Sequence, residues 1–95
     1  MSYKVVMLRH AEREFDRLPE QVRARVAPAL RDLVDTPRPQ GVKSLKGRLR
    51  GLLRIRVGEW RVAYQVDDEQ QTVCIVEIAH RSEVYERAER RQPLS

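Results

Sequence analysis

Residues 52–66 read LLRIRVGEWRVAYQV, and the alternation within them decides the fold. Successive side chains of a strand point to opposite faces, so Leu53, Ile55 and Val57 share one side while Arg54 and Arg56 share the other. A second strand repeats the pattern, with Trp60, Val62, Tyr64 and Val66 as its apolar set and Arg61, Ala63 and Gln65 opposite. Gly58-Glu59 between them fits a two-residue hairpin turn with glycine first. Such a turn fixes the register: Val57 faces Trp60, Arg56 faces Arg61, Ile55 faces Val62 and Arg54 faces Ala63. Three guanidinium groups then gather on one face. Like charges directly opposed across a ladder destabilise it by roughly 0.2–1 kcal/mol, so the patch invites a polyanion that bridges them. Alternating arginines also occur simply as the wet face of a half-buried sheet, and the hairpin alone leaves both readings open.

The charge around the hairpin extends that field. The 95-residue chain carries a formal net charge of +5. Between Lys43 and Arg61 there are seven basic residues (Lys43, Lys46, Arg48, Arg50, Arg54, Arg56 and Arg61) against Glu59 alone. A solvated loop is the bland reading of GVKSLKGRLRG, residues 41–51, but its run into the arginine hairpin favours phosphate contact by Lys43, Lys46, Arg48 and Arg50. In that loop Leu45 and Leu49 are placed to anchor on the core.

The length suits one domain with one core, expected over residues 1–91 with a flexible tail over 92–95. Cys74, the one cysteine, has no intramolecular partner and lies in an apolar strand pattern, which reads as a reduced packing residue and points to the cytoplasm. Neither a signal peptide nor a segment of membrane-spanning length is read, and no zinc-ligand spacing or phosphate-binding glycine loop occurs.

Tyr3 to Leu8 reads as a first strand covered on both faces. His10 to Leu18 switches to helical spacing, with Ala11, Phe15 and Leu18 on one stripe; His10 reads as an exposed junction residue without a chemical role. Pro19 separates this helix from a second, whose inward residues are Val22, Val26, Leu30 and Leu33, and Pro28 predicts a kink or a restart there. After the hairpin, Thr72 to His80 reads as a last strand. Its alternation places Cys74, Val76 and Ile78 toward the helices and Val73, Ile75, Glu77 and Ala79 on the arginine side, where Glu77 would neutralise Arg61. Residues 82–91, SEVYERAERR, read as a short charged helix capped by Ser82, with Arg81 and Tyr85 close to the patch. The expected class is α+β: a small antiparallel sheet in the order β-α-α-β-β-β with a short C-terminal helix, two helices packed on one face, and the arginine face uncovered.

With these residues in place the chain resembles the RelE-type toxins of the RelE/ParE superfamily. The basic-x-basic strand, the turn, Trp60-Arg61, the Tyr-x-Val strand and the ending His80-Arg81-Ser82-Glu83-Val84-Tyr85 carry the likeness. It covers nearly the whole chain. The resemblance implies an mRNA interferase of a type II toxin-antitoxin system, which enters the ribosomal A site, cuts the bound message and is held inactive by a cognate antitoxin protein.

Matched position by position, the family's active surface falls on Arg54, Arg56, Arg61, Arg81 and Tyr85. A message ribose supplies its own nucleophile, so no cofactor or metal is implied. Arg61 and Arg81 are assigned to phosphate clamping in the transition state, Arg54 and Arg56 to backbone orientation, and Tyr85 to stacking or proton transfer. The chain departs from the family where well-known members carry lysines on the first hairpin strand and this one carries Arg54 and Arg56. Arginine, with a pKa above about 12, is a poor general base. That leaves Tyr85, Glu59, Glu83 or His80 for the proton-accepting role, although alternation points His80 inward as a structural residue. Trp60 and Tyr64, in register with Val62, read as core. The rival within the superfamily is a ParE-like, non-nuclease inhibitor of DNA gyrase; the third reading is a catalytically weak member that binds only nucleic acid or antitoxin.

Overall fold

The hairpin register holds the sheet together as expected. In the computed structural model, which describes residues 2–91, β3 (Leu53–Val57) and β4 (Trp60–Asp67) pair Val57 with Trp60, Arg56 with Arg61, Ile55 with Val62 and Arg54 with Ala63. Gly58 takes φ +62° in the turn, a conformation that favours glycine. A Cβ there would also come within 3.0 Å of the Arg25 guanidinium.

Around the hairpin stand β1 (Lys4–Met7), α1 (Arg9–Arg17), α2 (Glu20–Asp32), β2 (Lys43–Ser44), a single 3-10 turn (Gly47–Leu49), β5 (Thr72–His80) and α3 (Val84–Arg91). The tail expected over 92–95 lies outside the described residues. Strand order is β1-β5-β4-β3-β2, an α+β arrangement with the expected element order plus the short β2. One feature of the expected sheet is corrected. It is mixed rather than wholly antiparallel, because β1 pairs parallel to β5, Lys4 beside Thr72. Only hairpins force antiparallel pairing, and the long connection between β1 and β5 leaves either direction open. As an edge strand, β1 is only half covered.

Both faces of the sheet are packed. On one, Ala11, Leu18, Val26, Leu30 and Leu33 from α1, α2 and their ends bury against Ile55, Val62, Tyr64, Val73, Ile75 and Ile78. Tyr64 is fully buried and its hydroxyl donates to the Pro37 carbonyl at 2.7 Å. Helix α2 runs unbroken through Pro28 rather than restarting there. The lost backbone bond, a defect of about 3 kcal/mol in an isolated helix, is offset by the Val26 and Leu30 contacts. On the other face, Leu49, Leu52, Ala63, Val76, Ala79, Val84 and Ala88 form a second apolar cluster. The arginine face is therefore not uncovered: α3 and the 3-10 turn lie on it.

The β5 alternation is corrected as well. Ala63 pairs with Glu77 but Tyr64 with Ile75, so Val76 is an extra residue at a bulge. One inserted residue flips the side-chain phase beyond it, which sends Val73 and Ile75 to the α1/α2 face and Val76 to the α3 face. Ser82 does not cap α3, which begins at Val84; its hydroxyl meets His80 Nδ1 at 2.9 Å instead.

Candidate nucleic-acid interface

The ladder sets the basic residues in two rows across the strands. Lys43 stands beside Arg54, and Arg56 beside Arg61. Because α3 lies over this face, the middle of the patch is enclosed: Arg54 and Arg61 are each only 8% exposed, whereas Arg56 is exposed. Among the described residues, none of these three arginines forms an ion pair with a carboxylate. Arg61 Nη1 donates to the carbonyls of Gly58 and Trp60, at 2.8 and 2.9 Å. Arg54 Nε donates to the Tyr85 hydroxyl at 3.3 Å, while its Nη1 is buried with no hydrogen-bond partner. The guanidinium of Arg61 is held below its ordinary pKa range, first by burial and then by Arg56 and Arg54.

Arg81 sits at the rim, exposed, with its Nε 3.1 Å from Glu59 Oε2; its backbone N–H donates to the Glu59 carbonyl at 2.8 Å. The hairpin turn and the end of β5 are thereby tied together. Lys46, Arg48 and Arg50 flank the site, all exposed, on the segment anchored by buried Leu49. The expected residues thus form a cationic trough with an enclosed floor (Arg54, Arg61), exposed walls (Arg56, Arg81, the loop) and Tyr85 above the floor.

Two expected roles change. Glu77 does not neutralise Arg61; it keeps the expected face, beside Ala63 on the ladder, but its carboxylate lies 3.5 Å from His10 of α1 and 3.8 Å from Arg91 of α3. His10 is half-buried rather than an exposed junction residue, with Nε2 2.6 Å from the Val76 carbonyl oxygen. Burial, and then the neighbouring Glu14, push the Glu77 carboxyl up to about 8. Its one sequence signal was a lone acid inside an apolar strand. Of the other proton-acceptor candidates, Glu83 is paired with Arg87 at 2.8 Å, and His80 lies edge-on to Trp60 at 5.8 Å with Nδ1 accepting from the Ser82 backbone N–H.

The family model of the ParE toxin of type II toxin-antitoxin systems matches residues 5–85. The chain is also 36% identical over 88 residues to Toxin RelG of Mycobacterium tuberculosis, covering 92% of this chain and all of that one. This chain belongs to the RelE/ParE superfamily of type II toxins. Among solved structures, the toxin-antitoxin complex RelBE2 of M. tuberculosis aligns with a TM-score of 0.76 at 32% identity, covering 84% of this chain and 99% of that one. A free E. coli RelE toxin carrying two arginine-to-alanine substitutions aligns at 0.77 and 27% identity, covering 98% and 100%. The α+β architecture is that of the RelE toxins.

Proposed function

We propose that this RelE-type toxin is a metal-independent, ribosome-dependent mRNA endonuclease that cleaves message in the A site. The observation that carries the reading is the enclosed, carboxylate-free pair Arg54 and Arg61, with one guanidinium nitrogen of Arg54 left without a partner. A buried cation without a counter-charge is costly, and a phosphate oxygen supplies both the charge and the missing acceptor.

In the reaction proposed, the message 2′-hydroxyl loses its proton and attacks the adjacent phosphorus. The bond to the 5′ oxygen breaks, leaving a 2′,3′-cyclic phosphate, and the departing oxygen takes up a proton. Arg61 and Arg81 stabilise the charge gathering on the phosphate oxygens, and Arg54 and Arg56 hold the backbone in line. Tyr85, whose oxygen already accepts from Arg54, has its own proton to give to the leaving group. Glu59, at the rim beside Arg81, would receive the proton of the 2′-hydroxyl once the message phosphate takes over Arg81, while Lys43, Lys46, Arg48 and Arg50 follow the flanking phosphates. Ribosome and mRNA would be the targets in the cytoplasm. The cognate antitoxin, a partner of the kind seen with RelBE2, would silence the toxin by covering the basic face with acidic and apolar side chains.

The match to the ParE model favours a second reading, inhibition of DNA gyrase. Incubating purified protein in parallel with message-programmed ribosomes and with gyrase and plasmid separates the two. Cleavage of the message with unimpaired supercoiling supports the nuclease; intact message with blocked supercoiling replaces it by the gyrase reading.

A further inference from the structure

Away from the arginine trough, three metal-ligating side chains converge. His10 and Glu14 lie four residues apart on α1 and so share a helix face, and Glu77 meets them from β5. One ligand atom from each lies within 4.8 Å of the others. His10 Nε2 is 3.5 Å from Glu77 Oε1 and 2.6 Å from the Val76 carbonyl oxygen. Ligands about 2.0–2.2 Å from a tetrahedral zinc sit roughly 3.3 Å from one another, so three atoms within 4.8 Å reach a coordination shell by small side-chain adjustments.

A second observation points the same way. Glu77 is 0% exposed and neither of its carboxylate oxygens has a hydrogen-bond partner; Glu14 Oε2 is likewise buried and unpartnered. Buried carboxylate oxygens without donors require a cation or a proton; without metal a proton shared between Glu77 and Glu14 meets that need, and a bound cation would displace it. The nearby arginines do not meet that need closely. Arg87 Nη1 stands 3.5 Å from Glu14 Oε2 and Arg91 Nε 3.8 Å from Glu77 Oε1, beyond the roughly 2.7–2.9 Å of a charge-assisted hydrogen bond. The short bond of Arg87 goes to Glu83, at 2.8 Å.

We infer that His10, Glu14 and Glu77, with the Val76 carbonyl as a fourth ligand, form a binding site for a divalent cation of the zinc and manganese class. One imidazole nitrogen with three oxygens suits these metals better than the all-oxygen preference of calcium or magnesium. A cleft lined by Glu14, Arg17, Leu18, Trp60, Ile78 and Arg87 borders the group at Glu14. Ligation requires the His10 tautomer with its proton on Nδ1, freeing the Nε2 lone pair, and the Val76 oxygen then faces the cation instead of an N–H. The cation takes the place of the two arginine charges, which turn outward from the last turns of α3. The arginines thus act as competitors of the metal, and removing one tightens binding.

The test is a titration of tag-free, full-length protein with Zn²⁺, and separately Mn²⁺, against a chromogenic chelator, with thermal melts to show that each variant is folded. One equivalent of Zn²⁺ is expected to bind. His10→Ala and Glu77→Gln are each expected to weaken it more than about a hundredfold, beyond the roughly 10–100-fold cost of outer-shell changes. Arg91→Ala should tighten it several-fold, and His80→Ala should leave it unchanged. Half-buried His10 gives a decisive variant even if Glu77→Gln fails to fold. No binding at micromolar Zn²⁺, binding indifferent to His10→Ala, or loss of binding with His80→Ala overturns the inference.

Discussion

Arg54 Nε donates to the Tyr85 hydroxyl at 3.3 Å, joining the centre of the sheet to the first turn of the C-terminal helix. The bond couples a cation that is almost fully enclosed to a ring that is 39% exposed, and it places the phenol over the arginine row. Tyr85→Phe keeps the ring and removes the hydroxyl. Since the enclosed Arg54 loses the acceptor of its Nε, unfolding free energy measured in urea should fall by about 1 kcal/mol. Cleavage on programmed ribosomes should fall by about 10²–10⁴, the usual range for loss of a proton-transfer group.

Arg61 shows the opposite balance between stability and function. Its charge is buried, faces Arg56 across the ladder and lacks a carboxylate. Arg61→Met preserves the packing of the alkyl stem and deletes the charge, and should raise the unfolding free energy by about 1 kcal/mol. Cleavage should be lost. Inorganic phosphate should raise the melting temperature of the wild type more than that of this variant, because only the wild type keeps the full anion site.

The hairpin was legible because turn chemistry and a period-two pattern agreed on one register, and the three arginines followed from it. The bulge at Val76 was not, since one extra residue in an apolar strand leaves no mark on composition, yet it reassigned Val73, Cys74, Ile75 and Val76 while Glu77 kept the face read for it. The cover over the arginine face left a faint signal. Helix α3 reads as charged throughout, but Val84 and Ala88, four residues apart, are both fully buried. Two small apolar residues at that spacing suffice to dock a short helix, and docking is what turned an open patch into a trough. His10 and Glu14 were visible at helical spacing, but their third partner depended on α1 packing against β5, which no local pattern announces.

Docking of α3 is itself open to test. Ala88 is fully buried in the second apolar cluster, so Ala88→Leu should destabilise the fold by about 1–3 kcal/mol through overpacking. Cleavage should fall with it as Tyr85 is displaced, while the exposed loop cations keep the affinity for RNA. Urea melts and fluorescence anisotropy with a labelled oligonucleotide separate the two effects.

On the proposed function, the four exposed cations of β2 and the following loop contact phosphate without reading sequence. Alanine at Lys43, Lys46, Arg48 or Arg50 should weaken binding equally for unrelated RNA sequences. Each substitution should reduce the slope of log affinity against log salt by about 0.7, the single-strand value per phosphate contact. Binding isotherms at several salt concentrations measure it.

The most direct test of the account is primer extension on a defined message in translating ribosomes, with wild type, Arg61→Ala and Arg81→Ala, and with naked RNA as control. Cuts within the A-site codon are expected for the wild type, with none for either variant and none on naked RNA. Intact message under conditions where the wild-type protein still arrests growth would contradict it and move the target from the ribosome to gyrase.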